Sequence, residues 1–424
     1  MSPRTRTPSP PWLWRTDVSR VVIVGASVGG LKTAQALRSE GFEGEIVLID
    51  QERHPTYDKP PLSKKYLTGE TARHEIELLS EHETRGIGAI SIFGTPAASV
   101  DLEGQVVTLA DGTAVSYDTL VIATGSRARR SPWGEGEHIH LLRTSGDAER
   151  LRDELATARH LVVIGAGFIG GEAAATAITA GVRVSMVDPF PAPMSRVLNA
   201  EVGQIFSRKY AHEGVEEYFG RTVEGVEQTA DGVRVVLDGG EIIEADAALV
   251  GIGAVVNTEW LEGSGIELDN GVICDSGLRA IGHPEIFAVG DIARWASASR
   301  NVSLRLEHWT NAVDQARVVA HNIVHPDDCE DYDTTEYVWS DQYDWKIQVV
   351  GRTGADDIVI IGSEEDQRFA VLYSESGDSL TGALVVNWPR ALVNTRRAVA
   401  TRTDRAEVAA RLSGDGARSV TPAV

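Results

Sequence analysis

Apolar positions repeat one pattern twice along the chain. In "RVVIVGASVGGLKTAQALRSEGFEGEIVLID" (20–50) a β-branched run, Val21 to Val24, ends in a glycine turn. A helical spacing of Leu31, Ala34 and Leu37 follows, then a second apolar run, Ile46 to Ile49, that ends in Asp50. The second copy, "HLVVIGAGFIGGEAAATAITAGVRVSMVD" (160–188), has the same order and ends in Asp188. Short β-branched runs bracketing a 3.6-residue period predict strand, turn, helix, strand. Each copy is followed by a strand ending in small residues, "YDTLVIATGSR" (117–127) and "ADAALVGIGA" (245–254), and "PEIFAVGDIAR" (284–294) adds one that ends in Gly-Asp. The acidic "PDDCEDYDTTE" (326–336) reads as a solvated connector. Beyond it the alternating runs "KIQVVGR", "DIVIIGS" and "RFAVLYS" predict a small antiparallel sheet, and a helical, arginine-rich tail starts near 389.

The glycines turn this pattern into chemistry. A lone G-x-G-x-x-G is a weak signal, but here both copies sit between a strand and a helix, with an acid about 20 residues on. Glycine lets the backbone approach a pyrophosphate, and the helix N-terminus offers free N–H groups and positive dipole. Gly165, Gly167 and Gly170 fill all three slots of the second copy, with Ile169 in the same turn. Gly25 and Gly30 fill the outer slots of the first, and Ser27 replaces the middle glycine with a small side chain able to donate to phosphate. A single copy could be a ligand-free turn; a pair argues for two dinucleotide sites. Gly251 and Gly253, at the end of the strand after the second copy, bring backbone close to the same ligand. Asp291 could cap a helix, but after two fingerprints it reads as an acceptor for a sugar-like chain.

The linear order therefore predicts an α/β protein with two Rossmann-like dinucleotide domains and a C-terminal α+β domain. The first domain is discontinuous, 20–127 and 255–333, and is interrupted by the second, 128–254. Residues 334–424 form the third, and 1–19 a flexible basic tail without the apolar core of a secretory signal.

Composition narrows the function. The 424 residues carry 40 Lys and Arg against 62 Asp and Glu, a formal net charge of −22, which disfavours nucleic acid and anionic membranes as partners. No apolar run approaches the roughly 20 residues of a membrane span, and the two cysteines, Cys274 and Cys329, fit a reducing compartment. A cytoplasmic protein is expected, a monomer or weak dimer, with no metal site.

Two neighbouring dinucleotide sites imply electron transfer between a resident FAD and a nicotinamide that comes and goes. Asp188 favours the free 2′-hydroxyl of NADH over NADPH, and neither Arg183 nor Arg196 is positioned in sequence to overturn that. Disulfide-reducing flavoenzymes need a closely spaced cysteine pair. None exists here, both cysteines read as inert, and electrons must pass to an external acceptor.

The stretches "YDKPPLSKKYL", "GAGFIGGE", "LLRTSGDAERLR", "FAVGDIAR", "RLEHWTNAVDQA" and "VWSDQYDWKIQVVGR", in this order, resemble the NADH-dependent ferredoxin reductases, glutathione reductase-like flavoproteins that serve cytochrome P450 and Rieske oxygenase systems. The resemblance implies transfer from NADH through FAD to a [2Fe-2S] ferredoxin. It sets Lys64, after the rigid Pro60-Pro61 turn, beside the flavin ring and pairs it with Glu172, so that a preorganised charge can stabilise the anionic reduced ring. Lys65 is left to solvent. By the same resemblance Lys59 lies near the FAD phosphates, Arg127 touches the FAD, Asp291 binds the ribityl chain, and Trp309 and Trp339 face the isoalloxazine. His308 is structural. Three departures stand out. Gln51 occupies the position of the usual ribose-binding glutamate, with Asp50 and Glu52 as alternatives; Val256 replaces a frequent proline; and Ser27 replaces glycine. Arginines 390, 396, 397, 402, 405, 411 and 418, with Arg305 or Arg352, are candidates for steering an acidic ferredoxin, against the plainer reading of a solvated face. Competing readings are a rubredoxin, quinone or oxygen reductase, and a redox-responsive signalling flavoprotein like apoptosis-inducing factor.

Overall fold

A computed structural model describes residues 19–53, 56–297, 302–375, 378–414 and 419–420. The expected N-terminal tail and Arg418 lie outside the described residues, the tail save for Ser19. The chain divides into two compact units.

The first unit takes the chain up to Asp58, then Glu77–Arg127 and Val256–Thr334. Its centre is a five-stranded parallel sheet in the order Ile286–Ala288, Thr119–Ile122, Arg20–Val24, Glu45–Asp50, Ile90–Phe93. Every residue of Arg20–Val24 is buried, as a central parallel strand covered on both faces requires. The first fingerprint's helix, Val28–Ser39, packs on the sheet and against the helix Trp309–Val324. Its buried stripe of Leu31, Ala34 and Leu37 is the one read from the sequence.

The second unit takes Lys59–Ile76, Ala128–Val255 and the chain from Thr335 onward. A second five-stranded parallel sheet runs Glu216–Phe219, Arg183–Asp188, His160–Ile164, Ala247–Val250, Ile139–His140. The predicted antiparallel sheet is present with six strands: Tyr337–Gln342, Trp345–Gly351, Gly382–Val386, Arg368–Ser374, Asp357–Ser363, Ser419–Val420. Helices Pro389–Ala400 and Arg405–Ser413 cover it through Ala391, Ala398, Val408 and Leu412.

Two segments join this unit although sequence order separates them from its parallel sheet. Lys59–Ile76 is held by side chains of the inserted segment: Thr176 donates to the Ser63 carbonyl at 2.8 Å, and Tyr66 to Glu149 at 2.6 Å. The strand Tyr337–Gln342 packs against the second fingerprint's helix, Phe168–Thr179.

Candidate functional site

In the first unit, backbone contacts make two of the fingerprint glycines obligatory. Gly25 has φ +102° and donates its N–H to the Ile49 carbonyl; a Cβ there would lie 2.2 Å from the Ala123 carbonyl oxygen. A Cβ on Gly30 would meet the Gly25 oxygen at 1.9 Å. Between them Ser27 has ordinary extended geometry, φ −75° and ψ −164°, at the N-cap of Val28–Ser39, and its hydroxyl caps no helix N–H. The middle slot thus does not need glycine for the fold itself, which is why serine fits.

The second unit repeats this geometry. Gly165 has φ +109°, with a Cβ 2.3 Å from the Gly251 oxygen, and a Cβ on Gly170 would meet the Gly165 oxygen at 2.0 Å. Gly167 (φ −82°, ψ −170°) has open space where its Cβ would point. Both turns leave a cradle at a helix N-terminus whose first N–H groups have no intrahelical partner. Bare backbone and positive dipole fit a dinucleotide pyrophosphate in each, and in the second cradle the middle slot is open space as well.

The acids that end the second strands do something the sequence did not suggest. Asp50 Oδ2 accepts the Ala26 N–H at 2.6 Å and its Oδ1 the Glu52 N–H at 2.8 Å. Asp188 does the same, accepting from Ala166 at 2.7 Å and Phe190 at 2.9 Å. Each carboxylate therefore braces its own glycine turn, leaving only remaining lone pairs for a ribose. Glu52 accepts the Tyr57 hydroxyl at 2.7 Å, and Gln51 is the exposed member of the trio. At the rim of the second cradle stand Ile169 and Phe190, 44% and 40% exposed. The Arg196 guanidinium lies 5.8 Å over the Phe190 ring, and its Nη1 comes within 3.5 Å of the Cβ position of Gly253 (φ +109°). Arg183 is taken by Glu216 at 3.4 Å.

The remaining first-unit candidates are engaged locally. Ser126 donates to Asp291 at 2.5 Å. Arg127, expected at the FAD, donates to Asn257 at 2.9 Å and pairs with Glu259 at 2.6 Å. The Trp309 indole donates to Asp58 at 2.8 Å. Val256 is buried in the core.

The most developed constellation belongs to the second unit. Lys59 precedes a single 3₁₀ turn, Pro60–Ser63, whose prolines fix the backbone. Lys64 closes that turn, and its Nζ lies 2.7 Å from Glu172 Oε2 and donates to the Pro60 carbonyl at 3.1 Å. Glu172 stands on Phe168–Thr179, 4% exposed, against 18% for Lys64. Its Oε2 also accepts the Ser63 hydroxyl, and its Oε1 the Ser340 hydroxyl at 2.6 Å. Gln342 donates to Ser340 at 3.1 Å and accepts from Tyr210 at 2.7 Å. Burial raises the Tyr210 phenol well above its ordinary pKa, so it stays a neutral donor. A buried carboxylate with this many donors is satisfied. Gly171 makes room for the chain: a Cβ there would lie 2.4 Å from Tyr210 Oη and 2.8 Å from Gln342 Nε2. Sequence reasoning missed Ser63, Gly171, Tyr210, Ser340 and Gln342. The doubled glycine of "FIGGE" was the available signal. Trp339, on the same strand as Ser340, stacks on Tyr337 with ring centroids 6.2 Å apart, and Arg396 lies 4.7 Å over Tyr337.

Residues 19–316 match the family described as pyridine nucleotide-disulphide oxidoreductase, and residues 337–418 match the family described as reductase C-terminal. Rhodocoxin reductase of Rhodococcus erythropolis is 37% identical over 386 residues, covering 90% of this chain and 89% of that protein. Putidaredoxin reductase of Pseudomonas putida is 34% identical over 406 residues, covering 93% and 94%. The crystal structure of a ferredoxin reductase for the CYP199A2 system from Rhodopseudomonas palustris is similar at a TM-score of 0.86 and 34% identity, covering 92% of this chain and 98% of that one.

Proposed function

Since the chain belongs to the pyridine nucleotide-disulphide oxidoreductase family, we propose that it carries electrons from NADH through FAD to a [2Fe-2S] ferredoxin in the cytoplasm. That ferredoxin would in turn serve a cytochrome P450 or a Rieske-type oxygenase. The observation that carries this reading is the ion pair of Lys64 with Glu172, which joins the Pro-Pro turn to the helix of the second cradle.

In this reading the amides behind Gly25, Ser27 and Gly30 hold the FAD pyrophosphate. Gln51, Glu52 or Asp50 takes its ribose, and Arg127, Asp291 and Trp309 complete the first unit's part. Gly165, Gly167, Gly170, Ile169, Gly251 and Gly253 with Asp188 receive the nicotinamide dinucleotide. Bound FAD would convert two-electron hydride chemistry into the single-electron transfers an iron–sulfur cluster accepts. The protein's part is positioning and electrostatics. Glu172 fixes the Lys64 ammonium, so that a positive charge is already oriented in a poorly solvated place when negative charge develops. No side-chain acid is required.

Docking is assigned to one face of the helix Pro389–Ala400. Arg405 is paired with Asp357 at 2.7 Å and Arg411 with Glu407 at 3.4 Å, and Arg352 with Glu375 at 3.0 Å, so these give less free charge. Arg305 likewise pairs with Glu307 at 2.8 Å. Arg396 and Arg397 are exposed, and Val393, 69% exposed, lies on the helical wheel between Arg396 on one side and Arg397 with Arg390 on the other. An apolar centre rimmed by arginines suits an acidic partner.

The test is reduction of [2Fe-2S] ferredoxins by the purified flavoprotein with NADH and NADPH compared. Rates should be higher with NADH and fall with salt. Arg396→Glu with Arg397→Glu should raise KM for ferredoxin and leave NADH oxidation by ferricyanide unchanged. Failure to reduce any ferredoxin while ferricyanide is still reduced would refute the acceptor.

A further inference from the structure

The acidic connector "PDDCEDYDTTE" (326–336) reads as solvated, yet the helix leading into it ends in His321 and its C-cap His325, at i, i+4. That spacing puts two imidazoles on one helix face. Their rings lie 4.7 Å apart. A third group meets them from elsewhere in the first unit: Glu40 Oε2 is 3.5 Å from His321 Nδ1 and 3.2 Å from His325 Nε2. All three ligand atoms fall within 4.8 Å of one another. Bonds of about 2.0–2.2 Å to a tetrahedral ion imply ligand edges of roughly 3.4 Å, which two of the three separations already meet.

The surroundings favour a cation. Glu40 is the C-cap of Val28–Ser39, while His321 and His325 occupy the last turn and C-cap of Trp309–Val324. Two helix C-termini, each with partial negative charge, therefore converge on these three side chains. His321 is also oriented for ligation. Its Nε2 lies 2.9 Å from the Asp328 carbonyl, which can only accept, so Nε2 bears the proton and the Nδ1 lone pair of the neutral ring points at Glu40. A backbone carbonyl behind the far nitrogen is the usual partner of a metal-bound histidine. Glu330 Oε1, 4.0 Å from that same nitrogen and paired with Arg317 at 2.8 Å, adds negative charge behind it. His325 is 43% exposed and leaves a path for the ion and a position for water.

We propose that Glu40, His321 and His325 bind one Zn²⁺ through two imidazole nitrogens and one carboxylate oxygen, with the fourth position open to water. The ion clamps together the C-terminal ends of two helices of the first unit. Imidazole and carboxylate ligands select Zn²⁺ or Ni²⁺ over Mg²⁺. None of the three residues belongs to the proposed redox site, and the inference does not depend on it.

Isothermal titration of the chelator-treated flavoprotein with Zn²⁺ tests it, alongside thermal melting with and without the ion. One equivalent should bind with micromolar affinity and raise the melting temperature by several degrees. His325→Ala and Glu40→Gln should each weaken binding at least tenfold and abolish the melting shift, while NADH oxidation by ferricyanide stays at the wild-type rate and shows the variants folded. Absence of binding, equal affinity for Mg²⁺, or unchanged Zn²⁺ affinity in His325→Ala and Glu40→Gln would overturn the site.

Discussion

Ser340 Oγ donates to Glu172 Oε1 at 2.6 Å across 168 residues of sequence, and this bond ties the antiparallel sheet to the carboxylate that holds Lys64. Glu172 therefore answers to two donors besides its ammonium partner. Deleting it leaves a lysine that is only 18% exposed without its counter-charge. Glu172→Ala should cost about 3–5 kcal/mol of stability, as loss of one partner of a buried pair does. Ser340→Ala removes one neutral donor and should cost about 1–3 kcal/mol. Lys64→Met should slow bleaching of the flavin by NADH roughly 10²-fold, the scale of losing one preorganised charge or donor. Chemical denaturation and rapid-mixing absorbance at the flavin band check these; a Lys64→Met protein that bleaches at the wild-type rate would remove the lysine from the mechanism.

The glycines of the second cradle should separate by cause. Gly170→Ala forces a Cβ to 2.0 Å from a backbone oxygen that cannot move aside, so the protein should fail to accumulate. Gly171→Ala meets the ends of two side chains, Tyr210 and Gln342, and should fold with about 1–3 kcal/mol lost to overpacking. Gly167→Ala meets nothing, and should match wild-type stability while raising KM for NADH, because the new methyl occupies space proposed for pyrophosphate. Melting temperature and steady-state kinetics distinguish the three. Gly167→Ala with an unaltered KM would place the dinucleotide elsewhere.

What the sequence made legible follows the range of the forces involved. Strand and helix periods are local, so both β-branched runs and the Leu31, Ala34, Leu37 stripe appear in the structure as read. The fingerprint glycines are local too, since their clashes lie within one turn and the adjoining strand. Ser340, Gln342 and Tyr210 were opaque because a polar residue in an alternating strand looks the same whether it faces water or a distant carboxylate. The metal-ligating trio was hidden likewise, since Glu40 ends one helix and the histidines another. Asp50 and Asp188 carried a signal that pointed to a ribose, yet their nearest obligation is to the amides of their own turns.

Two buried histidines of the second unit predict acid sensitivity. Burial, then the Arg183 charge, lowers the pKa of His160, and burial lowers that of His140 against the opposing pull of Glu154. An imidazole with a folded pKa below its ordinary value near 6.5 binds more protons when unfolded, so stability rises with pH across that window. It is retained above pH 6.5 and lost as pH falls below it, by at most about 1.4 kcal/mol per pH unit for each ring. His160→Gln cannot protonate and keeps a polar group near Ser185, which lies 2.8 Å from Nε2. Melting curves between pH 5 and 7.5 should be flatter for His160→Gln than for the wild type. Parallel curves would show that His160 titrates alike in both states.

The family's name refers to disulphides, and this chain argues against a thiol step of its own. Cys274 is 2% exposed and burial pushes its thiol far above the ordinary cysteine range, so almost no thiolate exists near neutral pH. Cys329 is exposed, on the connector, with its sulfur near the Pro326 carbonyl and the Arg279 guanidinium. The two cannot form a dithiol relay: one has no nucleophile to offer, and the other has no partner cysteine. A thiol reagent applied to the native protein should therefore modify one cysteine rapidly and the second only after denaturation. The Cys274→Ala, Cys329→Ser double variant should stay yellow and pass electrons from NADH to ferricyanide and to ferredoxin within about twofold of wild type. A folded, flavin-loaded double variant slower by tenfold or more would mean that a cysteine carries electrons after all.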